Sequence, residues 1–294
     1  MKLKKFIAIL SVATMTAGLA VGCGSSSDSG SSDSSSADSK SSDWDSSNDI
    51  TIVSREDGSG TRGAFIELFG IEEKKDGEKV DMTTDDAQIT NSTSVMLTTV
   101  AGDDYAIGYV SLGSLNDTVK ALKIDGEEAT EQNIKDGKYK ICRPFNIATK
   151  KGADNEVAKD FIAYIMSKEG QQIVNDNGYI GVEATESYKA SGKKGKITLA
   201  GSTSVSPLMD KIKDAYTAIN PDVTIEIQES RSSAGIQAAT EGAAQIGMSS
   251  RELKDEELSA GLTSKQIAMD GIAVIVNNAN PLTDITSDQI KGIY

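Results

Sequence analysis

The chain reads as an α/β protein, and three observations carry that reading. Short apolar runs, Ile50 to Val53, Ile197 to Ala200 and Val223 to Ile227, look like strands. Each leads into a segment whose apolar residues keep helical spacing, as Leu208, Ile212, Ala215, Tyr216 and Ile219 do. Between strand and helix lies a hydroxyl-rich loop in every case: Ser54-Arg55-Glu56-Asp57-Gly58-Ser59-Gly60-Thr61-Arg62, Gly201-Ser202-Thr203-Ser204-Val205-Ser206-Pro207, and Ser230-Arg231-Ser232-Ser233-Ala234-Gly235. One hydroxyl suffices to cap a helix. Hydroxyls at several positions of three loops call for another explanation.

The first loop suggests what that is. Gly58 and Gly60 let the backbone approach a ligand closely, and the first N–H groups of the following helix have no partner inside it. That geometry suits an anion. Ser59 and Thr61 add hydroxyls, and Arg55 offers a planar fork that grips two oxygens at once. Taken alone, the loop reads better as a capped helix whose Arg55 pairs with Glu56 or Asp57 at the surface; its recurrence favours anion binding. Ala244-Gln245-Ile246-Gly247-Met248-Ser249-Ser250-Arg251, a short strand ending in hydroxyls, is a fourth candidate loop.

Composition narrows the class. A chain of 294 residues, 38% hydrophobic and 25% charged, suits two compact domains behind a tail. Lys2, Lys4 and Lys5 precede an apolar stretch from Phe6 to about Ala20 and then Ala20-Val21-Gly22-Cys23, an export signal over 1–22 rather than a membrane-spanning helix. The next segment, 23–49, is almost wholly Ser, Asp and Gly apart from Trp44, and reads as a disordered tether. The second cysteine, Cys142, has no partner for a disulfide and reads as a small buried hydrophobe. With no histidine, a Ser-His-Asp triad, a His-ligated zinc and a His general base are excluded. No metal or cofactor is called for. The net charge of −14 excludes a basic nucleic-acid surface. An acidic protein that takes an anion must use short-range donors in a dehydrated cleft, its surface field being screened within about 8–10 Å.

In chain order, the first loop is followed by a charged, mobile excursion from Glu72 to Asp86. Thr90-Asn91-Ser92-Thr93-Ser94 opens a helix through Val100, and this cluster serves equally as a cap or as a further ligand. Tyr105 to Leu112 is a strand, and Lys120 to Ile141 a surface strand and helix around an Asp125-Gly126 turn. Val157, Phe161, Ile162 and Ile165, then Ile173 and Val174, form a helical core stripe. Glu183 to Lys196 is a polar joint, Ile267 to Asn277 a buried strand, and Asp288 to Tyr294 a helix.

The motifs Ser-Arg-Glu-Asp-Gly-Ser-Gly-Thr-Arg, Gly-Ser-Thr-Ser-Val-Ser-Pro-Leu, Ser-Ser-Ala-Gly-Ile and Ile-Gly-Met-Ser-Ser-Arg-Glu-Leu resemble the ligand loops of the phosphate-binding proteins of ABC transporters, the PstS-like family, and the resemblance runs from Ile50 to Tyr294. It implies an α/β, two-domain type II periplasmic-binding-protein fold, a Venus flytrap with two hinge crossovers. Pro144 to Ala148 and the Ile267 to Asn277 strand match the crossovers, giving domains 50–143 plus 272–294 and 144–271. By the same resemblance, inorganic phosphate is held by Arg55, Ser59, Gly60 and Thr61 of one domain and Thr203, Ser204, Ser232 and Ser250 of the other. Asp57 orients the Arg55 fork, while Arg231 and Arg251 are structural or solvated. The implied protein is a monomer, not an enzyme, and passes phosphate to a membrane permease and its ATPase. Cys23 matches the lipobox cysteine, which places a lipid anchor at the extracytoplasmic face of the cell membrane.

Two departures from the family stand out. The Arg-Glu-Asp-Gly-Ser-Gly segment precedes the Gly-Ser-Thr-Ser segment, the reverse of the usual order, so the chain reads as a circular permutation joined across Glu183 to Lys196. Ser250 occupies a position where many members carry aspartate, leaving Asp57 or Glu229 to accept the ligand's proton. Alternatives are a binding protein or envelope sensor for another oxyanion such as sulfate, and a nucleotide-dependent enzyme suggested by Gly58-x-Gly60-x-x-Gly63. Against the last, Arg55, Glu56 and Asp57 separate strand from first glycine, and an aspartate there repels a pyrophosphate.

Overall fold

The apolar run after Asp49 becomes β1 (Thr51–Arg55), and a turn through Gly58, whose φ of +79° side-chain-bearing residues seldom adopt, delivers the chain to α1 (Gly60–Leu68). A computed structural model describes residues 44–294. The leader, Cys23 and the tether as far as residue 43 lie outside the described residues.

After α1 the charged excursion is a hairpin rather than a mobile loop, β2 (Glu72–Lys75) paired antiparallel with β3 (Glu78–Asp81). The reason is local. Asp76 and Gly77 both have positive φ, 54° and 89°, which is the two-residue turn whose twist matches a hairpin. Next come β4 (Gln88–Thr90), α2 (Thr93–Ala101) capped by Ser92, β5 (Ala106–Ser111), β6 (Val119–Ala121), β7 (Lys123–Ile124) and α3 (Glu131–Lys135). The stretch expected at the surface, Lys120 to Ile141, buries Leu122, Ile124, Tyr139 and Ile141, so it contributes to a core.

β8 (Cys142–Lys150) leads to α4 (Glu156–Ile165) and α5 (Lys168–Asp176). The helical stripe divides there because Ser167 caps α5, accepting from the Gly170 N–H at 3.2 Å. A Cβ on Gly170 would strike the Tyr164 carbonyl. β9 (Ile180–Gly181) follows, and the polar joint beyond it is pinned: Tyr188, Ser191 and Tyr216 all donate to Asp160 Oδ2, at 2.6, 2.7 and 2.7 Å. The remaining elements are β10 (Gly195–Ser202), α6 (Ser206–Ile219), β11 (Val223–Ser230), α7 (Ser232–Glu241), β12 (Ile246–Ser249), α8 (Asp255–Ser259), β13 (Leu262–Asn277), β14 (Asp284–Ile285) and α9 (Ser287–Ile293).

A ten-stranded mixed sheet runs in the order β11-β10-β12-β8-β13-β5-β1-β4, with β6 and β9 also on β13. β10 pairs parallel with β11 and β12, and β1 parallel with β4 and β5. β8 and β13 lie antiparallel between these groups, from Leu262 opposite Lys150 to Gly271 opposite Cys142. A bulge between Gln266 and Ala268 falls near Pro144, which has no N–H to give the ladder. One large hydrophobic cluster draws only on residues between Phe145 and Ala268. Two others draw only on residues between Val53 and Ile141 together with residues from Ile272 to Tyr294. Cys142 is half-buried, because it stands where β8 passes between these cores rather than inside one. Among the described residues no helix is long and apolar enough to cross a membrane.

Candidate ligand-binding site

The strands of each parallel group end in loops from which α1, α2, α6 and α7 start, and the beginnings of these helices converge on one cluster of buried hydroxyls. Two of the starts lack a side-chain cap: Val205 precedes α6 and Arg231 precedes α7. Their first N–H groups are left to the loops around them. Ser59 does cap α1, accepting from Arg62 N at 3.3 Å, and the Thr93 N–H of α2 donates to Thr203 Oγ1 at 3.3 Å.

Arg55, Ser59, Thr61, Thr93, Thr203, Ser204, Ser232 and Ser250 are all buried. Thr61 Oγ1 lies 2.9 Å from Ser204 Oγ and 3.5 Å from Ser250 Oγ, and Thr93 Oγ1 lies 3.2 Å from the hydroxyls of both Thr203 and Ser204. Ser232 Oγ accepts from Ser250 N at 3.1 Å, and Ser202 Oγ donates to Ser250 Oγ at 3.0 Å. A Cβ on Gly60 would overlap the Ser232 hydroxyl and stand 2.6 Å from that of Ser250, so the backbone there is approached as closely as glycine permits. The residues Arg55, Gly60, Thr61, Thr203, Ser204, Ser232 and Ser250, singled out on three loops and a strand end, are thus brought together, with Ser59 at the edge.

Arg55 supplies charge. Its Nε and Nη2 donate to the two carboxylate oxygens of Glu56 at 3.0 and 3.1 Å, and Nη2 reaches Thr203 Oγ1 at 3.3 Å. Glu56, and not Asp57, therefore orients the fork. Asp57 is exposed, held only by its carbonyl, which accepts from Arg231 Nη1 at 3.3 Å. Glu229 is exposed as well, near the end of the edge strand β11. Arg251 is structural: it forks Glu257 at 2.9 and 2.7 Å and donates to Ser233 at 3.1 Å. The loop ends are also tied directly, the Ser233 N–H donating to the Gly58 carbonyl at 3.2 Å. A groove of about 1300 Å³ runs beside the cluster and shares Ser59 and Arg143 with it.

Three contributors were not singled out in the sequence. Tyr109 on β5 is stacked on Phe65, 3.9 Å between centroids; its hydroxyl accepts from Arg55 N at 3.1 Å and sits 2.9 Å from Ser54 Oγ, fixing the end of β1. Burial raises its pKa. Arg143 on β8 donates from Nη2 to Thr61 Oγ1 at 3.1 Å and lies 3.2 Å from Asp270 Oδ2 on β13. Burial lowers the pKa of Arg143, and it pushes the Asp270 carboxyl up to about 6 although Arg143 pulls it down. A signal for this pair existed: Asp270 is the only charge between Ile267 and Val276, and buried charges must find partners. Among the described residues no group of His, Cys, Asp and Glu is arranged to hold a metal ion.

A sheet shared by two hydrophobic cores, two strands crossing between them and hydroxyl-rich loops at the strand ends define the type II periplasmic-binding-protein fold. The chain belongs to the PBP superfamily domain family, whose profile matches residues 6–169 and 186–294, and within it to the PstS-like proteins. It is 54% identical over 296 aligned residues to phosphate-binding protein PstS 2 of Streptococcus agalactiae serotype V, covering 100% of this chain and 96% of that protein. It is 44% identical to PstS 2 of Streptococcus pneumoniae serotype 4 over 100% of this chain and 96% of that one. The crystal structure of a phosphate ABC transporter phosphate-binding protein from Streptococcus pneumoniae TIGR4 is similar, with a TM-score of 0.65 at 48% identity over 83% of this chain and 95% of the other.

Proposed function

We propose that this protein captures inorganic phosphate in the hydroxyl cluster and hands it to an ABC permease driven by its ATPase, without catalysing a reaction on it. The observation that carries the reading is the convergence of helix starts and hydroxyls from both cores on one buried cluster, which the Arg55 guanidinium enters at Thr203. Helix N-termini and hydroxyl donors suit a tetrahedral oxyanion, and Arg55 offsets its charge. The names of the relatives agree with this ligand. Arg55, Ser59, Gly60, Thr61, Thr203, Ser204, Ser232 and Ser250 are the proposed contacts. A dinucleotide reading loses ground, because the backbone at Gly60 already meets Ser232 and Ser250, where a pyrophosphate needs room. Cys23 is the proposed lipid anchor, on the extracytoplasmic face, and the monomer the proposed state. The segment order is read as a circular permutation.

The proposed lobes are 50–143 with 272–294, and 144–271, hinged on β8 and β13. Since each supplies part of the cluster, phosphate favours the closed arrangement by its greater affinity for it. Saturating phosphate is expected to reduce the scattering radius and raise hydrogen-exchange protection of the loops at Ser59 and Ser232. No change in either measurement refutes closure.

Selectivity follows from the acceptors. Phosphate near neutral pH keeps a proton and needs an acceptor, whereas sulfate needs only donors. The proposed contacts include only hydroxyls as side-chain acceptors, and a hydroxyl rotates to donate as readily as it accepts. Sulfate is therefore expected to compete measurably for the wild-type site. Ser250→Asp is expected to widen the phosphate-to-sulfate ratio about tenfold or more, since an unpaired buried acceptor costs about 1–3 kcal/mol. Wild-type protein that ignores a large excess of sulfate in a competition titration contradicts this.

A further inference from the structure

Arg143 belongs to β8, outside the four hydroxyl-rich loops, yet its guanidinium is buried and reaches the cluster. We propose that Arg143 is a second cationic positioning residue of the anion site, acting through the Thr61 hydroxyl it donates to; this rests on the phosphate reading above.

The first argument is directional. A threonine hydroxyl carries one proton and can accept on its lone pairs. Because Arg143 has only protons to offer, Thr61 Oγ1 must accept from it, and the Thr61 proton is turned toward Ser204 Oγ at 2.9 Å, toward Ser250 Oγ at 3.5 Å, or toward an anion that replaces these contacts. Thr61 is thereby set as a donor, the role an oxyanion demands. Without Arg143 the same hydroxyl is free to point either way.

The second argument is charge. Arg55 is doubly bonded to Glu56, which offsets much of its field. Arg143 is less completely compensated. It meets Asp270 through one nitrogen at 3.2 Å, while its Nε and Nη1 are buried without a hydrogen-bond partner. The Phe145 ring lies 5.4 Å from the guanidinium carbon and adds only a weak attraction. The charged or titratable groups facing Arg143 are Asp270 on β13, Tyr179 just before β9, Cys142 beside it on β8 and Arg55 on β1. Arg55 and Arg143 repel each other, and an anion bound near both relieves that repulsion. A hinge pair serving only to staple β8 to β13 would give no reason for the bond to Thr61.

The test is calorimetric titration of the full-length protein with inorganic phosphate, at a mildly acidic pH where the monoanion dominates and a mildly alkaline pH where the dianion does. The double variant Arg143→Met with Asp270→Asn removes the pair together, so no carboxylate is left buried alone. It is expected to bind phosphate about tenfold more weakly than wild type, with the greater loss at alkaline pH because the dianion feels the missing charge twice over. Arg143→Lys is expected to recover the pH profile in part. Should that double variant not fold, Arg143→Gln paired with the same Asp270→Asn, which keeps an N–H for Thr61, loses the charge and leaves no carboxylate buried alone, takes its place and is expected to lose the alkaline preference. Affinity of the first double variant within about twofold of wild type at both pH values, or an unaltered profile in the second, overturns the proposal while wild-type binding leaves the phosphate reading intact. Wild type that does not bind phosphate overturns both.

Discussion

Replacing Arg55 with alanine is expected to weaken phosphate binding by well over tenfold, because leaving a buried anion without its charged partner costs about 2–5 kcal/mol. The loss has two parts. The anion forfeits a charge-assisted hydrogen bond, and Glu56, now without the two donors at 3.0 and 3.1 Å, leaves an unpaired negative charge near the ligand. Arg55→Ala combined with Glu56→Gln separates them: it is expected to recover part of the affinity, since the repulsive half of the effect is gone. Calorimetry on wild type, single and double variants measures each part. Affinity of Arg55→Ala within about twofold of wild type refutes the placement of Arg55 in the site.

Gly60→Ala is expected to be the second most damaging change, for a reason of shape. Gly60 is helical, so alanine suits the local backbone and the ligand-free protein is expected to melt no earlier than wild type. The added methyl projects into the Ser232 and Ser250 hydroxyls, which arrive from the other core, and Ser232 is held in place by the Ser250 N–H. Overpacking of this kind costs about 1–3 kcal/mol. That cost falls only on the arrangement in which the two sets of loops meet, so phosphate affinity is expected to drop roughly tenfold or more. A variant that keeps full affinity, or one that loses ligand-free stability instead, contradicts the assignment of Gly60 to the interface between the loops.

The sequence was legible where period and loop chemistry agree. The runs ending at Arg55, Ser202 and Ser230 are strands, and each is followed by a helix that starts among hydroxyls. The hairpin of β2 and β3 is hidden in the sequence because the five charged residues from Glu72 to Asp76 look like solvated chain; only the Asp76-Gly77 pair marks it. Asp57 against Glu56 is a question of side-chain direction after the strand ends, and spacing alone does not decide between neighbours. Thr93 was visible as a hydroxyl but not as a partner of Thr203, a contact spanning 110 positions. Arg143 and Tyr109 were hidden for the same reason: what each touches is set by the order of strands in the sheet.

The two crossovers have a mechanical consequence. β8 and β13 are neighbours in one sheet and pair from Lys150 opposite Leu262 to Cys142 opposite Gly271, with one interruption at the bulge between Gln266 and Ala268. Any separation of the two cores must therefore flex a double-stranded ribbon, and neither strand can swivel about a single bond without breaking its ladder. Small dihedral changes spread over many residues, each remaining inside its own β basin, accomplish that bending. Such a ribbon behaves as a leaf spring: it resists shear and sideways slip while yielding in one direction, so that loops meeting at one end of their travel meet in the same register each time.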